Sequence, residues 1–178
     1  SKKISIDNLY FVASSNSAGT TLKFGDKEIK VENLEKFDFS KVNISFFSAG
    51  KTISEKYVPL AAKHSVVIDN SSFFRMDPDV PLIVPQVNKD HLKNVKKNII
   101  ANPNCSTAQL VIVLKSLNDA FKIKRIVIST YQSTSGAGKK PMDELIDQTK
   151  SILDNKNFEV KNFTKQIAFN AIPHIDSF

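Results

Sequence analysis

Cysteine occurs once in the 178 residues, at Cys105. A single thiol excludes an internal disulfide framework and agrees with a reducing, cytoplasmic setting. Glycine is also sparse: there are five, and Gly136 and Gly138 form the only close pair. The chain therefore has no glycine-rich dinucleotide loop of the G-x-G-x-x-G kind. No run of about 18 apolar residues occurs, so no membrane-spanning helix is expected. Ser1-Lys2-Lys3-Ile4 leads into polar residues rather than an apolar stretch, so no secretory signal is expected either. Arginine is the last shortage. Of 25 Lys and Arg residues only Arg75 and Arg125 are arginine. A chain that uses lysine almost everywhere keeps arginine where lysine cannot substitute, as in a bidentate grip on phosphate or carboxylate.

With 41% hydrophobic residues, the chain can bury a real core. Its net charge of +7 raises the question of a nucleic-acid partner. The lysines are scattered, paired only at places such as Lys96-Lys97 and Lys139-Lys140, with no interleaved aromatic platform. That distribution predicts a solvated basic surface and no nucleic-acid partner.

In chain order, Leu9 to Ala13 predicts a buried strand that ends in the polar loop Ser14 to Gly19. Leu22 to Phe24 and Glu28 to Val31 alternate about Gly25-Asp26 and predict a hairpin. Val42 to Phe47 predicts a strand ending in Ser48-Ala49-Gly50. A helix follows from about Ile53 to His64, and then the strand Val66 to Asp69, ending in Asn70-Ser71-Ser72. Strand, polar loop, helix, strand is the pattern of a doubly wound parallel sheet, in which ligands sit at the carboxyl ends of strands. The loops at Ser14, Ser48 and Asn70 all fall on that edge. Leu82 to Val84 and Asn98 to Ala101 predict further strands among Pro78, Pro81 and Pro85. Ile126 to Tyr131 predicts a strand leading into Gln132 to Gly138, and a helix is expected around Met142 to Leu153.

Cys105 sits where the strand Asn98 to Ala101 gives way to the apolar helical run Ala108 to Leu117. Pro103 ends the strand, and Asn104 or Ser106 can cap the helix. On residue type alone, a lone cysteine is either a small buried hydrophobe or a reactive thiol. At a helix N-terminus, unpaired N–H groups and the helix dipole favour the thiolate, which covalent catalysis on a carbonyl requires.

Asn102-Pro103-Asn104-Cys105-Ser106-Thr107, Asp69-Asn70-Ser71-Ser72 with Arg75-Met76-Asp77, and Gln132 to Gly138 resemble the bacterial aspartate-semialdehyde dehydrogenases. Pro81 to Asn88 and Phe169 to Phe178 add to the likeness, which covers nearly the whole chain. The resemblance implies an α/β fold in two parts. The first, 1–104, is a partial Rossmann-type doubly wound parallel sheet for the nucleotide, lacking its first strand and glycine-rich loop. The second, 105–178, is the start of a mixed α+β catalytic and dimerisation domain. The implied activity is NADP-dependent reduction of aspartyl phosphate to aspartate semialdehyde by a homodimer, in lysine, threonine and methionine synthesis. The family's cysteine attacks the acyl phosphate, phosphate leaves, and hydride from the nicotinamide resolves the thioester.

The resemblance matches Cys105 to the nucleophile, Arg75 to the phosphate-binding arginine and Asn104 to a second phosphate contact. Gln132 matches the residue that orients substrate. Ser135 and Gly136 match the turn along the nicotinamide, and Ser48, Ala49 and Gly50 a loop close to the dinucleotide. Ser17 matches a serine whose neighbour is often an arginine gripping the 2′-phosphate of NADP. This chain has Asn16 there, which predicts a weaker preference for NADP. No metal is implied.

Residue by residue, other roles compete. Arg75 could form a surface ion pair, Gln132 could end a strand, Asn104 could only cap its helix, and Ser135 to Gly138 could be a plain turn. The family's glycine loop and its catalytic histidine have no counterpart in the chain. His64, His91 and His174 do not match the acid–base position, so the isolated chain is expected to be inactive. Three other readings compete: a non-catalytic interaction or dimerisation module, an acetylglutamyl-phosphate reductase, and a cysteine hydrolase. The hydrolase would need a histidine paired to Cys105.

Overall fold

The structure is a computed structural model and describes residues 5–173. Ser1 to Ile4 and His174 lie outside the described residues. The chain divides into two compact units, 1–121 and 122–178.

The first unit holds two three-stranded sheets. In one, β1 (Phe11–Ala13) pairs in parallel with β3 (Lys27–Asn33), and β2 (Thr21–Phe24) pairs antiparallel with β3. The β2–β3 pair is the expected hairpin. Phe24 faces Lys27 across a two-residue turn, and Gly25 supplies the positive φ of +59° that the turn needs. Val31 of β3 is buried, while Lys27, Glu28 and Lys30 are exposed.

The second sheet is fully parallel, in the order β4 (Ile44–Phe47), β5 (Val66–Asp69), β6 (Ile99–Ala101). Parallel neighbours need a crossover, and α1 (Lys51–Ala61) supplies it between β4 and β5. Ser54, Tyr57, Val58 and Ala61 recur at helical spacing and are all buried, so this stripe of α1 lies on the sheet. With Phe47, Val67, Ile99 and Ala101 they form the core, joined by Phe74 and Val80. Val58 and Val67 have no exposure at all, worth about 1.5–3 kcal/mol each. The opposite face of the sheet carries Ile44, Phe46 and Val66, all exposed.

Two expected strands are absent. Leu82 to Val84 forms only an isolated parallel bridge, Leu82 to Ala101, with Ile83 N donating to the Ala101 carbonyl at 2.9 Å. Pro81 and Pro85 flank it, and proline has no N–H with which to lengthen a ladder. Ile126 to Tyr131 is not a strand either. Val127 and Tyr131 are exposed, and no strand pairs with this segment among the described residues. A strand exists only by pairing, so alternation alone does not make one.

α2 (Pro85–Asn88) is a single turn followed by a 3-10 segment, and α3 (Cys105–Phe121) closes the first unit. The second unit is built on α4 (Lys139–Leu153), which starts at Gly138, φ +101°. Its buried stripe is polar. Glu144 accepts from Lys161 N (3.0 Å), Asn162 N (2.6 Å), Asn162 Nδ2 (2.7 Å) and Gln148 Nε2 (2.9 Å). Gln148 Oε1 accepts from Ile167 N and Ala168 N. Two side chains thus satisfy backbone groups of an irregular segment that pairs with no strand among the described residues. Burial opposes the charge on Glu144, and these donors outweigh it, holding its carboxyl below the ordinary carboxylate range.

No helix of the described residues is long and apolar enough to cross a membrane. Lys96 and Lys97 pair with Asp79 and Asp77 at 3.0 and 2.9 Å, and Lys139 pairs with Asp143.

Candidate active site

Parallel pairing in register decides what gathers at the carboxyl edge of the second sheet. Phe47 faces Asp69, and Asp69 faces Ala101. The next residue along each strand is Ser48, Asn70 and Asn102. These three side chains form a hydrogen-bonded row. Asn102 Nδ2 donates to Asn70 Oδ1 at 2.6 Å, and Asn70 Nδ2 reaches Ser48 Oγ at 3.5 Å.

One residue earlier, alternation points the side chain the other way, toward α1. Asp69 is fully buried there. Its carboxylate accepts from Ser54 Oγ (2.9 Å), Ser71 N (2.9 Å) and Ser71 Oγ (2.7 Å). It therefore ties the first turns of α1 to the loop that follows β5. That loop carries Arg75, which is half-buried. Arg75 Nε donates to the Asn102 carbonyl at 2.9 Å, and a terminal nitrogen donates to the Asn70 carbonyl at 3.2 Å. Among the described residues no carboxylate pairs with Arg75. The guanidinium is fixed by two backbone carbonyls and keeps its full charge and its other N–H groups for an anion.

Cys105 is the first residue of α3 and is exposed. The cap of this helix is Asn104, not Ser106: Asn104 Oδ1 accepts from Ser106 N (3.0 Å), Ser106 Oγ (2.7 Å) and the Cys105 thiol (3.7 Å). The Asn104 carbonyl accepts the first helical bond, from Ala108 N. Its amide nitrogen donates to no protein group in the described residues, so capping does not exhaust the side chain. The surface thiol, the asparagine amide and the arginine follow two adjacent strands. Asn104 and Cys105 thus lie two and three residues along the chain from Asn102, whose carbonyl holds Arg75.

The Ser48-Ala49-Gly50 loop ends in Gly50, which caps α1 at φ +90°, ψ 169° without any side-chain bond. An added Cβ there would meet nothing within 4 Å, so glycine is needed for conformation rather than space. The open first turn of α1 and the bare backbone before it suit a phosphate-bearing group. The loop after β1 is held by Ser17 N and Ala18 N bonding to the Ser14 carbonyl, both at 3.0 Å, and by Gly19 N bonding to the Val31 carbonyl. Asn16 is exposed within it.

Gln132, Ser135 and Gly136 belong to the second unit and form a turn of their own. Ser133 and Ser135 hydroxyls lie 2.6 Å apart, Gly136 N bonds to the Ser133 carbonyl, and Gln132 Oε1 lies over Gly136. His64 sits in the turn after α1, the opposite end of that helix from Gly50, and α1 is about 16 Å long. His91 lies in the 3-10 segment beside Asn88. Neither is bonded to Cys105. No cluster of metal-ligating side chains occurs among the described residues.

Asp69, Asn70 and Asn102 were not candidates on sequence, beyond the motifs that contain them. The available signal was an acidic residue or amide at the end of each of two predicted parallel strands.

Two family descriptions match the chain in order: the semialdehyde dehydrogenase NAD binding domain over residues 1–95, and the semialdehyde dehydrogenase dimerisation domain over residues 114–178. A relative from Rickettsia bellii, aspartate-semialdehyde dehydrogenase, is 52% identical over 174 residues, covering 96% of this chain and 51% of its own. The crystal structure of aspartate semialdehyde dehydrogenase II from Vibrio cholerae, complexed with ASA, superimposes with a TM-score of 0.92 at 49% identity. It covers 97% of this chain and 52% of that one. Aspartate semialdehyde dehydrogenase from Candida albicans, solved with NADP, gives a TM-score of 0.52 at 28% identity over 65% of this chain and 40% of its own. The chain spans about half the length of the relatives it matches. β4, β5 and Arg75 fall within the matched NAD binding domain, β6 and Cys105 lie between the two matched regions, and the chain belongs to the semialdehyde dehydrogenase family.

Proposed function

We propose that this chain forms the nucleotide-binding and nucleophile-bearing part of a cytoplasmic, homodimeric enzyme. The enzyme reduces aspartyl phosphate to aspartate semialdehyde with NADPH, serving lysine, threonine and methionine synthesis. The catalytic and dimerisation part begins at Cys105, between the two matched regions.

The observation that carries the reading is the Arg75 guanidinium. It is held by the Asn70 and Asn102 carbonyls, without a carboxylate partner, beside the strand end that leads into Cys105. A buttressed, uncompensated arginine near a surface thiol suits an acyl phosphate, whose leaving group is an anion. In this mechanism Cys105 Sγ attacks the acyl carbon. The C–S bond forms, the C–O bond to phosphate breaks, and phosphate departs with the electron pair. Arg75 and the Asn104 amide hold its oxygens as charge builds on them, which is where electrostatic help lowers a barrier most. The family resemblance assigns to Gln132 the role of orienting the thioester. Asn16 and Ser17, with Ser48, Ala49 and Gly50, would hold the dinucleotide, and Ser135 and Gly136 its nicotinamide end. When bound, NADPH supplies the hydride that takes the acyl group to the aldehyde. Cys105 returns as thiolate when the C–S bond breaks.

The test runs the reaction backward on the native polypeptide that carries this chain. Aspartate semialdehyde, NADP and inorganic phosphate should give NADPH at a rate that needs phosphate and vanishes in Cys105→Ser. Activity that ignores phosphate, or survives Cys105→Ser, overturns the reading.

A further inference from the structure

We propose that Asn102 and Asn70 are positioning residues, whose side-chain bond holds the Arg75 guanidinium in fixed register with the Cys105 thiol. The inference rests on the phosphate role of Arg75 given above and goes beyond it to residues with no assigned role. Three bonds close a ring. Arg75 Nε donates to the Asn102 carbonyl (2.9 Å), Asn102 Nδ2 donates to Asn70 Oδ1 (2.6 Å), and Arg75 donates to the Asn70 carbonyl (3.2 Å). The two carbonyls belong to different loops, one after β5 and one after β6. Without the amide pair, only the ends of the strands and Arg75 itself would link these two carbonyls.

The backbone anchors each member of the ring. Asn70 N donates to the Phe47 carbonyl and Asn102 N to the Asp69 carbonyl, both at 2.8 Å. Asn102 is thus one residue past β6, three before Cys105, and bonded to β5 by its main chain and to Asn70 by its side chain. A shift of this residue moves the acceptor of Arg75 and the approach to α3 together. The row also runs on to Ser48, at the longer distance of 3.5 Å, so the loop assigned to the dinucleotide abuts the same device.

A side chain that only stabilised the fold would act on phosphate binding independently of Arg75. One that works through Arg75 loses its effect once the arginine fork is gone. The experiment measures alkylation of Cys105 by iodoacetamide, followed by intact mass, in the native polypeptide across a range of inorganic phosphate. Phosphate bound by Arg75 should protect the thiol. In Asn102→Ala the half-protecting phosphate concentration should rise about tenfold, the cost expected from a small misplacement of a charge-assisted contact. In an Arg75→Lys background, Asn102→Ala should add less than about twofold, because coupled residues are non-additive.

Protection of wild type and Asn102→Ala at the same phosphate concentration overturns this inference and leaves the phosphate role intact. A full additional effect in the Arg75→Lys background also overturns it, since Asn102 would then act without Arg75. No protection of wild type at any concentration removes the phosphate role itself, and this inference with it. Asn70→Ala breaks the same bond from the other side and is read identically, which keeps the test decisive if Asn102→Ala does not fold.

Discussion

Asp69 is the perturbation whose cost follows most directly from geometry. Its carboxylate has no exposure and accepts three bonds, from Ser54 Oγ, Ser71 N and Ser71 Oγ. In Asp69→Ala the two hydroxyls can rotate, and Ser54 can turn back to a carbonyl of its own helix. The Ser71 N–H cannot turn. Leaving that donor buried and unpaired costs about 1–3 kcal/mol, and each hydroxyl bond lost adds about 1. The sum is about 3–5 kcal/mol, a large part of the roughly 5–15 kcal/mol that holds a domain together. Asp69→Asn behaves differently. Its Oδ1 keeps Ser54 and Ser71 N, and its Nδ2 can donate to a Ser71 hydroxyl that reverses direction. Only the charge assistance is lost, about 1–2 kcal/mol. Urea unfolding of the native polypeptide, followed by circular dichroism at unchanged m-value, measures both. The reasoning is wrong if Asp69→Ala costs less than about 1 kcal/mol, or if Asp69→Asn costs as much as Asp69→Ala.

Gly50→Ala meets no atom within 4 Å, so its whole penalty is the φ of +90°, about 1–3 kcal/mol; a thermal midpoint equal to wild type would refute that origin. Glu144 has a lowered carboxyl in the folded state. Its stabilisation is therefore complete above the ordinary carboxylate range and is lost as pH falls through the folded value. Hydrogen-exchange protection of the Asn162 amide should decline across that acid window, and Glu144→Gln should flatten the decline; equal slopes in both proteins would contradict it. Asn16→Arg should raise the NADP-to-NAD ratio of kcat/KM about tenfold, by adding a charge-assisted partner for the 2′-phosphate. An unchanged ratio would place the 2′-phosphate elsewhere than the loop after β1.

The parallel sheet was legible because β4, β5 and β6 are short apolar runs, each stopped by a polar residue, with a helical segment between the first two. The same signal misled at Ile126 to Tyr131. Its apolar alternation matches a strand, yet pairing depends on a neighbour that local pattern does not encode. Leu82 to Val84 was visible as extended, but its two prolines limited it to a single bridge. At the candidate site, Arg75 stood out by scarcity and Cys105 by uniqueness. Their supports did not, because asparagines and a buried aspartate look like ordinary turn residues until strand register places them side by side.

Register also explains why those supports divide the work as they do. Successive side chains on a strand point to opposite faces. Asp69 therefore turns to α1 and fixes the loop from beneath, while Asn70 turns away from it and meets Asn102 in the row above. A carboxylate suits the first position, where the three hydrogen-bond partners of Asp69 are all donors. It would not suit the second. There a negative charge next to Arg75 would pair with the guanidinium and compete with an incoming anion. An amide holds the geometry without spending the charge. That is why Asn70→Asp, which can still accept the bond from Asn102 Nδ2, should weaken phosphate protection of Cys105 at least as much as Asn70→Ala does. Protection equal to wild type in Asn70→Asp would refute this account of why the position carries an amide.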